Sequence, residues 1–103
     1  MRLKGILIDS GEAPVLYSLA DTEQGLAAFV GGPLKRKPIR GQFAALLYTD
    51  TIQGLPTRHY DGRWYYGRLL IVGWRKGRPR SLTRVEQETL LRQWDRVEVQ
   101  YHV

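Results

Sequence analysis

Between Arg58 and Ser81 the chain reads RHYDGRWYYGRLLIVGWRKGRPRS, arginines interleaved with tyrosines and tryptophans around one apolar run. Guanidinium donors beside aromatic faces are what a site needs to grip a phosphate while stacking a flat ring. The candidate ligand-binding residues here are Arg58, His59 and Tyr60, then Arg63, Trp64, Tyr66 and Arg68. Strand alternation from Arg63 puts Arg63, Tyr65, Gly67 and Leu69 on one side and Trp64, Tyr66, Arg68 and Leu70 on the other. Each side then carries both chemistries. The competing use of the same residues is structural: the rings cover a small core and the arginines snorkel outward over it.

Two further basic clusters flank this stretch. Lys35, Arg36 and Lys37 with Arg40 follow a Gly-Gly helix end, where the helix dipole repels anions, so a solvated edge that discourages sheet-to-sheet aggregation is the better expectation. Arg75, Lys76, Arg78 and Arg80 precede a helix whose N-terminal N–H groups favour phosphate. A pocket bounded by Arg78, Ser81 and Thr83 is physically sensible there, and a plain charged hairpin equally so. His59 near Asp61 offers acid–base chemistry in principle. A lone histidine in a loop is usually solvated, and the chain shows no metal-ligand spacing, nucleophile elbow or P-loop. Binding without turnover, with no catalytic residue, metal or cofactor, is the expectation.

The composition bounds the rest. The 103 residues suffice for one core but not for two ordinary ones, so residues 1–103 are expected to form a single domain. Cysteine is absent, which removes disulfides, thiolate catalysis and thiolate metal sites together. The formal net charge is +6 and arginine outnumbers lysine, a balance that favours phosphate partners because arginine presents a planar fork of donors. No apolar run approaches the ~18 residues needed to cross a bilayer. The expectation is a soluble chain in the cytosol with no membrane partner.

The elements that must position these residues are read from periodicity. Leu3 to Ile8 is a buried strand closed by Asp9-Ser10-Gly11, and Val15-Leu16-Tyr17 completes a hairpin. Asp21, three residues before Gln24, marks the start of a helix over roughly Thr22 to Val30, which Gly31-Gly32-Pro33 stops. Pro38 demotes LKRKPIRG to an edge strand or loop. Phe43 to Tyr48 is a core strand, and Thr51 to Gly62 a long loop with room for a helical turn. Leu69 to Val72 is a central strand, and Lys76 to Pro79 a turn. Thr83 and Glu86 form a capping box, with Ser81 as the rival cap, for a helix burying Val85, Leu90, Leu91 and Trp94. Val97, Val99, Tyr101 and Val103 alternate with polar residues as a last, half-exposed strand. Strands with two helices that do not alternate regularly indicate an α+β domain with a mostly antiparallel sheet.

The segments GILID, VGGPL, GLP, GRLLIVG and SLTRVEQETLL, in that order, resemble a small uncharacterised family carried by bacteriophages and integrative elements. The match spans most of the chain. Where such relatives tend to place Asn before Arg in the GLP loop, this chain has Gly54-Leu55-Pro56-Thr57-Arg58-His59. The resemblance implies a phage or mobile-element setting and no established activity. In that setting a nucleotide-type anion is the expected ligand, and sequestration of a host immune-signalling nucleotide its specific form. Enclosing a nucleotide would call for a homo-oligomer. The alternatives are a basic nucleic-acid-binding accessory protein and an inhibitor of a host defence enzyme that binds through exposed Trp64, Trp74 and Tyr66.

Overall fold

A computed structural model describes residues 2–39, 41, 43–51 and 54–95. In chain order the elements are β1 (Arg2–Ile8), β2 (Val15–Ala20), α1 (Glu23–Val30), β3 (Lys35–Pro38), β4 (Ala44–Tyr48), β5 (Pro56–Tyr60), β6 (Arg63–Tyr66), β7 (Leu69–Arg75), β8 (Arg78–Arg80) and α2 (Arg84–Gln93). The main sheet runs β2-β1-β7-β4-β3, with β8 beside the far end of β7, and β5 pairs with β6 separately. Every pairing is antiparallel, so the protein is an α+β fold.

The strand order follows from the apolar content of each strand. Ala44–Tyr48 and Leu69–Gly73 are buried without interruption, because β4 and β7 are covered on both faces. Alternate residues feed two cores. Ile6, Ile8, Leu46, Leu69 and Ile71 meet Leu82, Leu90 and Trp94 of the α2 end and Tyr65 of β6 on one face. Leu3, Leu47, Leu70 and Val72 meet Leu26 and Val30 of α1 on the other. Charged β3 sits at an edge, as its Lys-Arg-Lys-Pro sequence demands.

The structure corrects several expectations. The span read as a long loop holds β5, which folds against β6 through a two-residue turn. Asp61 (φ 52°) and Gly62 (φ 82°) are both left-handed there, the geometry that matches strand twist and that Asp-Gly favours. Lys76 and Gly77 make a second such turn, so Arg78 and Pro79 belong to a strand rather than to the turn. The α1 cap is Thr22, whose hydroxyl accepts from the Gly25 N–H, rather than Asp21. Phe43 lies outside β4 and is exposed, and Val85 faces solvent because it falls off the Leu90–Trp94 stripe. The expected strand over 97–103 and Arg40 lie outside the described residues. Among the described residues no helix is long and apolar enough to cross a membrane.

Candidate functional site

The first cluster is largely satisfied from within. Arg58 is 3% exposed. Its Nε donates to the Trp94 carbonyl at 3.2 Å, Nη1 to that of Thr57 at 2.8 Å and Nη2 to that of Glu12 at 2.8 Å. A buried guanidinium spent on three backbone segments is a structural clamp, and the binding role expected of Arg58 gives way to it. Arg63 donates to Asp50 Oδ1 at 2.9 Å and to the Tyr48 hydroxyl at 3.3 Å, and its cation lies 5.0 Å from the rings of Tyr48 and Tyr65. Burial pushes the Tyr65 phenol above its usual range, with Tyr48 adding to the shift. Arg68 is paired with Asp9 at 3.2 Å and lies over the Phe29 ring.

The aromatic members divide by face. Tyr60 stacks at 5.0 Å against Trp94 and serves the core, and Tyr66 is half-buried beside β5. His59 and Trp64 meet edge-on at 4.8 Å on the exposed side of the β5–β6 hairpin. The seven residues therefore do not share one pocket, although Arg63, Trp64 and Tyr66 line a hollow of about 130 Å³ with Tyr48 and Asp50.

The phosphate pocket expected at α2 is closed by the chain's own carboxylate. Glu86 Oε1 accepts from the Thr83 N–H at 2.8 Å while the Thr83 hydroxyl accepts from the Glu86 N–H at 3.2 Å. Arg80 then holds both Glu86 oxygens at 2.9 Å. The Arg80 hydrogen bonds, outweighing burial, depress the Glu86 carboxyl to about 2. Ser81 Oγ accepts from the Lys4 N–H at 3.0 Å and the Leu82 N–H donates to the Lys4 carbonyl, so Ser81 stitches the β8–α2 junction to β1. Ser81 and Thr83 thus position structure, and of that trio Arg78 alone has an exposed side chain with no hydrogen bond or ion pair among the described residues.

Arg78 belongs to a different site. The eight residues of α1 span about 12 Å, too little to cover a five-stranded sheet face roughly 19 Å across. The uncovered part is a groove of about 730 Å³. Leu3, Leu26, Leu34 and Leu47 give it an apolar floor beside half-buried Trp74. Arg36 of β3 reaches across and places its guanidinium 4.8 Å from the Trp74 ring centre. Arg75, Lys76 and Arg78 contribute from the β7–β8 hairpin. Like that of Arg78, the side chains of Arg36, Arg75 and Lys76 make no hydrogen bond or ion pair among the described residues. Lys35, also on the groove, is 3.9 Å from Asp50, and Asp21 and Glu23 make the α1 end acidic.

Lys35 and Arg36 of the second basic cluster and Arg75, Lys76, Arg78 and Arg80 of the third therefore line one groove, where Arg36 covers Trp74, whereas Lys37 is paired with Asp61 at 2.8 Å. The signal for Trp74 was its place in GWRKGRPR, an aromatic ring opening a run of cations. Among the described residues no group of His, Asp and Glu side chains is arranged to hold a metal ion. In comparisons with known proteins the chain matches no family model, no curated protein and no solved structure.

Proposed function

We propose that this chain is a non-catalytic binding protein whose groove beside Trp74 takes a nucleic-acid strand. The observation that carries this is the sorting of cations. Arg58, Arg63, Arg68 and Arg80 are neutralised or spent internally, whereas Arg36, Arg75, Lys76 and Arg78 line one groove with no acidic partner among the described residues, Arg36 resting on the Trp74 ring. Cations spread along an open groove with an apolar, aromatic floor suit a backbone that passes through while a base rests on the floor. The acidic end at Asp21 and Glu23 directs the phosphates toward the hairpin.

A second reading is supported by the groove's volume, which falls in the range of small-ligand sites, ~300–1,000 Å³. On that reading the ligand is a single nucleotide, held by sequestration in a phage or mobile-element setting. The two differ in salt response. Fluorescence anisotropy of a labelled single-stranded oligonucleotide, titrated at several salt concentrations, is expected to give a log–log slope of about −3 for the four unpaired groove cations. A flat salt response with equal affinity for a mononucleotide would transfer the proposal to the second reading. No binding of either would refute both.

A further inference from the structure

Among the described residues three arginines lie over aromatic rings: Arg36 over Trp74 at 4.8 Å, Arg63 over Tyr48 and Tyr65 at 5.0 Å, and Arg68 over Phe29 at 4.6 Å. Carboxylates tether two of them, Asp50 holding Arg63 at 2.9 Å and Asp9 holding Arg68 at 3.2 Å. The Arg36 side chain has no such tether. Arg36 is exposed, and a cation–π contact at an exposed site is a weak hold. The backbone beneath it is fixed: Arg36 pairs with Leu47 of β4, and its neighbours Lys35 and Lys37 face Asp50 at 3.9 Å and Asp61 at 2.8 Å. Trp74 in turn is half-buried and packs against the core under α1. One side chain is thus free to lift from a ring that is itself anchored.

We propose that Trp74 and Arg36 are the two walls of a slot for one unpaired base, so that the strand the groove takes is single-stranded. The inference rests on the groove reading and adds where and how the base is held. Stacked rings are spaced ~3.4 Å apart, so a base between indole and guanidinium needs them about 7 Å apart, a separation that rotation of Arg36 about its own side-chain bonds supplies. Arg36 then exchanges one flat partner for another and keeps its charge in the groove. A lysine has no plane to lay on the base. Arg75, Lys76 and Arg78 of the β7–β8 hairpin take the flanking phosphates.

In a duplex the base faces are already stacked on their neighbours, and freeing one costs unstacking and unpairing. Charge alone ranks the two forms the other way, because a duplex carries a phosphate every ~1.7 Å of axis and one strand every ~3.4 Å. A preference for the single strand is therefore the mark of the slot rather than of the cations.

Fluorescence anisotropy at fixed salt tests it with three labelled ligands of one length: a single-stranded DNA, the same strand without bases, and its duplex. The single strand is expected to bind at least about tenfold tighter than the abasic strand and no more weakly than the duplex. Arg36→Lys keeps the charge and the salt slope of about −3, weakens the single strand about fivefold and shifts the abasic strand less than about twofold. Trp74→Leu removes the other wall and has the same signature; should its lost packing unfold it, Arg36→Lys at an exposed position carries the test. A duplex bound more tightly than the single strand, or an Arg36→Lys loss equal on both strands, overturns the slot. A strand bound with the expected slope but indifferent to its bases overturns the slot and leaves the groove reading standing, whereas no strand bound at all overturns both.

Discussion

The guanidinium of Arg58 sits among the carbonyls of Thr57, Glu12 and Trp94, and so joins β5, the β1–β2 connection and the end of α2. Replacing it by Ala orphans acceptors in all three segments at once. Arg58→Ala should cost on the order of 3 kcal/mol in chemical denaturation and leave the affinity of the folded fraction unchanged. Glu86 makes a prediction of opposite kind, in pH. Its folded pKa, about 2, lies below the unfolded value, so its contribution is complete above the ordinary carboxylate range. It is lost as pH falls from there toward 2. Glu86→Gln keeps a side-chain acceptor for the Thr83 N–H while removing the ionic half of the Arg80 bridge. Its denaturation midpoint should be lower at neutral pH and nearly equal to the parent's at the acid end.

Elements that carry their own pattern were legible in the sequence. The uninterrupted apolar runs of β4 and β7 announced strands covered on both faces, Pro38 announced an edge, and Thr83-x-x-Glu86 announced the start of α2. The β5–β6 hairpin was not, although Asp61-Gly62 is a strong turn signal, because its strands hide their burial. β5 opens with Pro56 and buries Thr57 and an arginine, and the register slips between Pro56 and Arg58. The groove was unreadable for a different reason. Arg36 and Trp74 lie on strands separated in the sheet by β4, so their contact exists only once the order β7-β4-β3 is known. At this scale Gly73 is a coupling point. A Cβ there would meet the Arg80 guanidinium at 2.5 Å, and Arg80 is pinned by Glu86 and by the Phe43 carbonyl. Gly73→Ala should therefore dislodge the bridge, and a double-mutant cycle with Glu86→Gln should show a coupling of about 1 kcal/mol. Additive losses would mean that Arg80 moves aside without releasing Glu86.

Over the whole molecule, the formal charge of +6 is not spread evenly in its effect. Acidic partners at Asp9, Asp50, Asp61 and Glu86 absorb cations on the β5–β6 side and at the helix start. What stays unpaired around a concave apolar surface is Arg36 with the hairpin residues Arg75, Lys76 and Arg78. The direct test of the account is to compare two double variants of equal charge change in oligonucleotide binding at fixed salt: Lys76→Glu with Arg78→Glu at the groove, and Arg63→Glu with Arg68→Glu in the first cluster, alongside their salt slopes. The account predicts that the groove variant loses at least about tenfold in affinity and flattens the slope by about 1 to 2, while the other pair shifts affinity by no more than a general charge effect. Equal losses in the two variants, or a loss confined to Arg63 and Arg68, would contradict it.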